Sequence, residues 1–185
     1  ESPYKMQREW LDRLPFDIYS VNVHTGAKRL IGRSYRTAPK WSVNGKWAVM
    51  YDPIAQVWNK FDGATGKVVN ISDAIGYPMF MESYDKPAPA PAYGIAGWTA
   101  DGNNVFLYDA YDWWKIDLTG ERQPECLTKG YGRKHGKSIR KMTSNIDKDV
   151  FQKDEKVIVS LWDKDTMDEG VYQLDMKGRL RKLME

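Results

Sequence analysis

Histidine and cysteine, two side chains that often carry catalysis or hold metals, are scarce in this sequence. Its 185 residues include two histidines, His24 and His135, and one cysteine, Cys126. A hydrolytic triad needs a nucleophile, a histidine and an acid together, and a zinc site usually needs three or more ligands. Both histidines lie in turn- or loop-like segments and are expected to face solvent. Cys126 cannot form an internal disulfide and is expected to be a small buried apolar residue rather than a reactive thiol. We therefore predict no catalytic residue, no cofactor and no metal in this chain.

Carboxylates are numerous, and four of them recur at comparable places. Asp52, Asp109, Asp117 and Asp175 each follow an apolar segment and precede a turn. An Asp side chain in that place can bond the backbone of the turn, so the recurrence favours a structural role. Two carboxylates could also serve as the acid and the nucleophile of a glycosidase, but nothing in the sequence pairs them.

A repeated strand-and-turn pattern accounts for these positions. Four segments pass from apolar and aromatic residues through Asn or Asp to a closing Gly: Ile18–Gly26, Val57–Gly66, Trp113–Gly120 and Val171–Gly178. Asn or Asp followed by Gly is typical of a tight turn, because Gly accepts positive φ. The intervals between the closing glycines have the length expected of propeller blades or solenoid units.

A second motif precedes the turns. Trp41–Gly45 and Trp98–Gly102 both read W-[ST]-x-[ND]-G, and a Tyr-Asp pair follows each of them at the same distance. We predict that each Trp ends a first strand and that each Tyr-Asp pair ends a second strand. The third copy is degenerate, with Gln152–Glu155 as its turn. Unbroken apolar runs before the last three turns predict strands covered on both faces: Trp47–Tyr51, Val105–Tyr108 and Val157–Trp162.

These patterns predict an all-β fold, a partial β-propeller of about three and a half four-stranded antiparallel blades. The whole chain, 1–185, is then one propeller segment. Blades are expected at 33–72, 73–128 and 129–185, and 1–32 would close a fourth. A closed ring needs about four to eight blades, so the end blades would be open to self-association. Only Tyr4 to Leu14 could form a short helical turn.

Composition and charge narrow the function classes. Eight Trp and eleven Tyr suit a packed sheet-rich body. The net charge is +3, from 28 basic and 25 acidic residues, so we expect no nucleic-acid partner. No apolar run approaches the ~20 residues of a membrane-spanning helix. The chain begins without Met, which suggests a removed leader or a piece of a longer protein.

Two irregular segments could carry binding functions. Lys129–Lys141 contains six basic residues and one His; an anion site is one interpretation, and a solvated loop between blades is the favoured one. Ala74–Gly97 contains Glu82 and alternating prolines, which favour an extended path. It could line a channel mouth or offer a proline-rich ligand, but a structural loop joining two blades is favoured.

Several strings resemble a known family. "SVNGKWAVMYD", "YGIAGWTADGNNVFLYDAYDWWKIDLTG", "LTKGYGRKHGKSIR" and "SLWDKDTMDEGVYQLDMKG" are similar to the β-propeller of prolyl oligopeptidase and dipeptidyl-peptidase-like serine peptidases of Bacteroidetes type. The likeness covers about 16–184, and Tyr108–Trp114 followed by Leu127–Arg133 is its most specific part. In that family an α/β-hydrolase domain with a G-x-S-x-G elbow follows the propeller. Gly32–Arg36 lacks the second Gly, so no catalytic residue of the family falls on this chain.

The resemblance implies a role without chemistry of its own. The chain would be a non-catalytic propeller segment that gates and orients peptide substrate for a hydrolase domain of the parent chain, in the periplasm or outside the cell. Family glutamates that hold a substrate N-terminus are not assigned here, since Glu82 has no acidic neighbour. The alternative is a free-standing periplasmic propeller that scaffolds protein contacts. A propeller enzyme binding sugars or metals in its channel is a third hypothesis, disfavoured by the shortage of His.

Overall fold

Antiparallel β-sheet makes up nearly all of the regular structure. The computed structural model describes residues 3–7, 9, 14–142 and 149–184. The strands in these ranges are β1 (Phe16–Val21), β2 (Lys28–Tyr35), β3 (Lys40–Trp41), β4 (Trp47–Asp52), β5 (Val57–Asp62), β6 (Val68–Asn70), β7 (Ile95–Thr99), β8 (Asn104–Tyr108), β9 (Trp113–Asp117), β10 (Glu125–Cys126), β11 (Lys137–Lys141), β12 (Val150–Phe151), β13 (Lys156–Asp163), β14 (Glu169–Asp175) and β15 (Leu180–Met184). The helical segments are 3-10 turns at Lys5–Gln7 and Asp73–Ile75 and one α-helical turn, α1 (Tyr131–Lys134).

The strands form one hairpin and three sheets. The hairpin pairs β1 with β2, and the first sheet has the order β3-β4-β5-β6. The second sheet has the order β10-β9-β8-β7-β12, and the third has the order β11-β13-β14-β15. Every pairing in the described ranges is antiparallel except that of β12 with β7. The predicted all-β fold of four-stranded antiparallel sheets is confirmed. The helical turn expected between Tyr4 and Leu14 is present at Lys5–Gln7, while residues 8 and 10–13 lie outside the described part.

The repeated turns close the strands as the sequence predicts. Asp62 Oδ1 accepts the backbone N–H groups of Ala64 and Thr65. Gly66 then adopts φ 68°, in the left-handed region that favours glycine. Equivalent turns follow Asn22, Asp117 and Asp175. The same local chemistry therefore ends the third strand of each sheet and reverses the chain into the fourth.

Each sheet is stacked on its neighbours through alternate residues. On β4, Val49 and Tyr51 belong to the core shared with the second sheet, whereas Met50 belongs to the core shared with the β1–β2 hairpin. On β8, Leu107 faces the first sheet and Phe106 the third. Both central strands are buried on both faces, which explains their unbroken apolar runs in the sequence.

The third run does not follow that rule. Val157–Trp162 was expected to be covered on both faces, but burial alternates along β13. Val159 is fully buried against the second sheet, while Ile158 is 37% exposed on the opposite face. The expectation is wrong for this strand, because apolar side chains there face solvent within this chain rather than another sheet.

A short parallel strand links the second and third sheets. The turn at Gln152–Glu155 is present, with Glu155 N–H donating to the Gln152 carbonyl at 3.1 Å. However, this turn does not connect two strands that pair with each other. Strand β13 pairs with β11, and β12, which lies between them in the sequence, pairs with β7 of the second sheet. Gly97 makes room for it: a Cβ there would lie 2.6 Å from the Asp149 carbonyl oxygen. The expected simple hairpin is therefore corrected to a hairpin with an inserted strand.

Candidate functional site

The turn that follows β8 gathers buried charged groups. Asp109 is completely buried, and each of its carboxylate oxygens accepts two hydrogen bonds. Oδ1 accepts the backbone N–H groups of Tyr111 and Asp112 at 2.7 and 2.6 Å. Oδ2 accepts Trp114 Nε1–H at 3.1 Å and the Arg133 guanidinium at 3.0 Å. The carboxylate thus closes its own turn and reaches forward to α1.

Asp112 at the end of the same turn is also buried. Its Oδ1 accepts the Thr128 hydroxyl at 2.6 Å and the Gly132 N–H at 2.9 Å. Its Oδ2 accepts the Arg133 N–H at 3.0 Å. Because these donors belong to the end of the second sheet and the start of α1, Asp112 fixes the path by which the chain enters the third sheet.

Two arginines complete the cluster. The Arg133 guanidinium lies 4.0 Å from the Tyr77 ring centre. Burial acts to lower the pKa of Arg133, but the hydrogen bond and charge of Asp109 outweigh it, so that pKa is raised. Arg140 on β11 donates to the Asp109 and Ala110 carbonyls at 2.7 and 3.1 Å. Burial lowers the pKa of Arg140.

We call the set Asp109, Asp112, Arg133 and Arg140 the inter-sheet polar cluster. Its carboxylate oxygens all accept hydrogen bonds from donors of the chain itself. Polar groups buried this fully stabilise a fold only when they are hydrogen-bonded. The cluster lies mostly within the Tyr108–Trp114 and Leu127–Arg133 strings, and it shows what those residues do: they join two stacked sheets.

The other recurring carboxylates make turn contacts. Asp52 Oδ1 accepts the N–H groups of Ile54 and Ala55, both at 2.9 Å. Asp117 and Asp175 each accept backbone N–H groups of the turn that follows them. Asp109 therefore differs from its repeat equivalent Asp52 in burial and in the number of partners.

The histidines and the cysteine occupy separate elements. His24 lies exposed in the turn between β1 and β2, and His135 is exposed at the end of α1, where its ring stacks on Tyr131 at 4.4 Å. Cys126 is half-buried, its Sγ accepts the Gly130 N–H at 3.2 Å, and burial raises the pKa of its thiol. Among the described residues, no three His, Cys, Asp or Glu side chains are grouped to hold a metal ion.

The basic segment Lys129–Lys141 differs from the expected solvated loop. It contains α1 and the whole of β11, the first strand of the third sheet. Ile139 is fully buried, and the Arg140 guanidinium lies 4.7 Å from the Tyr108 ring centre. The loop interpretation is therefore wrong for 137–141, because those residues pair with β13.

The proline-rich segment leads from the first sheet to the second. Phe80 and Ala92 form an isolated antiparallel bridge, and the Glu82 N–H donates to the Tyr93 hydroxyl at 3.1 Å. The Glu82 side chain is exposed. This joining segment is the structural loop that the sequence favoured.

An open-sided cavity of about 490 Å³ lies beneath that segment. Residues of β4, Trp58 of β5 and Trp98 of β7 line it. Pro89 and Pro91 of that segment line the cavity, and its charged lining residues include Arg36 and Lys40. No sequence motif predicts this cavity, because its walls come from segments that are distant along the chain and share no pattern.

Comparisons with known proteins bear on the fold. No protein-family model and no curated protein sequence matches the chain. Among solved structures, the chain is similar to the crystal structure of TolB from Acinetobacter baumannii, with a TM-score of 0.50 and 16% sequence identity. The match covers 92% of this chain and 38% of the TolB chain.

The chain has a partial β-propeller fold. We interpret the hairpin and the three sheets as consecutive blades, with the hairpin as an incomplete one. Because the sequence identity is low, the likeness to TolB concerns the fold alone. The chain spans well under half the length of that propeller protein, in line with the expectation of an incomplete ring. No helix in the described ranges has the length and apolarity that crossing a membrane requires.

Proposed function

We propose that this chain is a non-catalytic β-propeller module of a periplasmic or secreted bacterial protein, and that it binds other molecules rather than transforming them. The observation that carries the proposal is the inter-sheet polar cluster. Asp109 and Asp112 are its buried carboxylates, and their oxygens are held by the Trp114 indole, by Arg133 and by turn amides. Groups used in this way position blades and are not available as an acid or a nucleophile.

The non-catalytic role is tested directly with the purified chain. It is incubated with chromogenic peptide substrates and with aryl glycosides at several pH values. We expect no turnover above the buffer rate. Turnover that co-purifies with the protein and is abolished by a substitution within this chain would refute the role.

A finer proposal names the parent protein. The Tyr108–Trp114 and Leu127–Arg133 strings resemble the propeller of prolyl oligopeptidase-like serine peptidases, so the module would gate and orient peptides for a hydrolase domain elsewhere in the same protein. The likeness to TolB supports the propeller and does not distinguish a peptidase propeller from a free-standing periplasmic scaffold.

The two versions predict different coding sequences downstream of this chain in its gene. The peptidase version expects a G-x-S-x-G elbow within the next few hundred codons, and a fluorophosphonate probe should label the full-length product at that serine. The scaffold version expects further propeller repeats and then a stop codon, with no labelling. Absence of the elbow removes the peptidase version and leaves the binding role in place.

A further inference from the structure

We propose that the cavity between the first and second blades is a binding site for a small apolar carboxylate, an aromatic or aliphatic acid whose charged end meets Arg36 and Lys40. This inference goes beyond the proposed function, because neither the gating nor the scaffolding role requires a ligand at this place. It stands on the size and lining of the cavity, an unpaired buried donor and the charges at the rim.

The cavity has the size and surface of a ligand site. Its volume of about 490 Å³ lies within the ~300–1,000 Å³ typical of small-molecule pockets. The walls are largely aromatic and aliphatic, with Tyr51, Trp58, Tyr84 and Trp98 as their aromatic residues. Apolar walls with a few polar groups are the usual composition of such sites, and these walls favour an apolar ligand body.

The strongest sign of an absent partner is the indole of Trp58. This residue lines the cavity and is 5% exposed. In the described part of the chain, its Nε1 is the one buried side-chain polar atom without a hydrogen-bond partner. By contrast, Trp113 Nε1 donates to the Ile139 carbonyl and Trp114 Nε1 donates to Asp109. A buried donor is almost always satisfied, and a ligand oxygen would satisfy this one.

The charges around the cavity select the sign of the ligand. Arg36 and Lys40 both belong to the lining, and Asp149 is the one acidic residue among the described residues of that lining. Asp149 already accepts the ammonium group of Lys141 in an ion pair. Two cations therefore face an apolar cavity whose single carboxylate is neutralised elsewhere, which favours an anionic ligand. Arg36 in particular matches a carboxylate, since the guanidinium fork can donate two parallel hydrogen bonds.

The lining of the cavity predicts how the ligand is oriented, with an apolar end inside and a charged end beside the two cations. The Tyr51 hydroxyl already donates to the Ala90 carbonyl at 3.0 Å, which ties the proline-rich wall to β4. The ligand body would lie between this wall and the indoles of Trp58 and Trp98. A terminal carboxylate would remain at the rim beside the two cations, where its charge is still partly solvated.

The test uses pairs of ligands that differ only in charge. Calorimetric titration compares 1-naphthylacetate with its neutral analogue 1-naphthylacetamide. A second pair, acetyl-Ala-Ala-Phe and its C-terminal amide, asks whether the acid is a free molecule or the end of a peptide. We expect at least one acid to bind saturably, with one site per chain and at least tenfold more tightly than its amide.

Three variants locate the site. Arg36→Gln with Lys40→Gln should reduce the affinity for the acid to that for the amide while leaving binding of the amide unchanged. Trp58→Phe should weaken both members of the acetyl-Ala-Ala-Phe pair several-fold, because their amide oxygens can accept the indole N–H, whereas the body of the naphthyl pair carries no oxygen for that donor. The control combines Lys67→Gln with Arg122→Gln, two exposed cations outside the cavity, and should change neither affinity. Thermal unfolding of each variant verifies that the fold is retained.

The possible results are decisive in either direction. Preference for an acid that is lost in the Arg36/Lys40 variant and retained in the control supports the site and identifies its source as free acid or peptide end. Failure of both acids to bind saturably, equal binding of each acid and its amide, or an equal loss in the control variant would overturn it. These binding results are independent of the turnover assays that test the non-catalytic role, so either proposal can fail without the other.

Discussion

Replacing Asp52 and Asp109 by Asn should affect stability very differently, although the sequence presents the two residues as equivalents. Both end a Tyr-Asp pair at the same distance from a preceding turn glycine. In Asp52 a single oxygen accepts both turn bonds, and an Asn oxygen can accept the same two. Asp52→Asn should therefore change the free energy of unfolding by less than about 0.5 kcal/mol.

The Asp109→Asn change removes more hydrogen bonds than Asp52→Asn does. The Asn oxygen can keep the two turn N–H bonds, but its amino group then points at Trp114 Nε1 and the Arg133 guanidinium, which are both donors. The charge-assisted bond to Arg133 is worth about 1.5–3 kcal/mol and the indole bond about 1 kcal/mol. The Arg133 side chain is 28% exposed, so water recovers part of the loss and the expected total is about 3 kcal/mol.

Thermal and urea unfolding followed by circular dichroism measure this difference. For a chain of this length ~1 kcal/mol corresponds to about 2–4 °C. The melting temperature should thus fall by about 6–12 °C for Asp109→Asn and by no more than about 2 °C for Asp52→Asn. In a double-mutant cycle, Asp109→Asn combined with Arg133→Met should cost clearly less than the sum of the single changes. Equal losses for the two Asn variants, or strict additivity in the cycle, would refute the cluster as the link between blades.

Three further predictions test other features of the fold. Trp58→Phe should destabilise the protein by about 2 kcal/mol less than Trp113→Phe in urea unfolding. Only the Trp113 change removes an indole hydrogen bond and leaves the buried Ile139 carbonyl without that donor. Burial raises the pKa of Tyr108 to about 12, so the folded state holds a proton that the unfolded state releases near pH 10. Stability should fall as pH rises from about 10 to 12, and less steeply in Tyr108→Phe than in the exposed control Tyr19→Phe. Gly97→Ala should displace β12, seen as faster hydrogen exchange of the amides between β7 and β12.

The local part of the fold was predictable from the sequence because its signals are local. A turn such as Asp62–Gly66 needs only an acceptor side chain and a residue that tolerates positive φ, and both are written a few positions apart. Unbroken apolarity also predicted the double burial of β4 and β8 correctly. The same pattern gave a wrong prediction for β13, where Ile158 is exposed. An apolar run shows that a strand can be buried on both faces, but it does not show whether this chain contains a second sheet to cover the outer face.

The parts that sequence reasoning missed depend on contacts between distant segments. Asp52 and Asp109 have the same local motif, and their difference arises from Arg133, which lies three elements beyond Asp109; among the described residues, no arginine forms an ion pair with Asp52. The path of β12 likewise depends on Gly97, which belongs to a much earlier strand. The cavity combines Arg36, Trp58 and the proline-rich wall. No periodicity connects such residues, so these features emerge only once the blades are stacked.

The two junctions between complete blades should respond differently to mechanical load. Strand β12 bonds its neighbour through the backbone, since Trp98 N–H donates to the Asp149 carbonyl and Ala100 N–H to the Phe151 carbonyl. The direct links between the first and second sheets, such as Asn44 Nδ2–H to the Asp101 carbonyl, come from side chains. When the molecule is stretched from its ends in optical tweezers, the first sheet should detach at a lower force. The second and third sheets should then unfold together in one step at a higher force, so the two of them act as one mechanical unit.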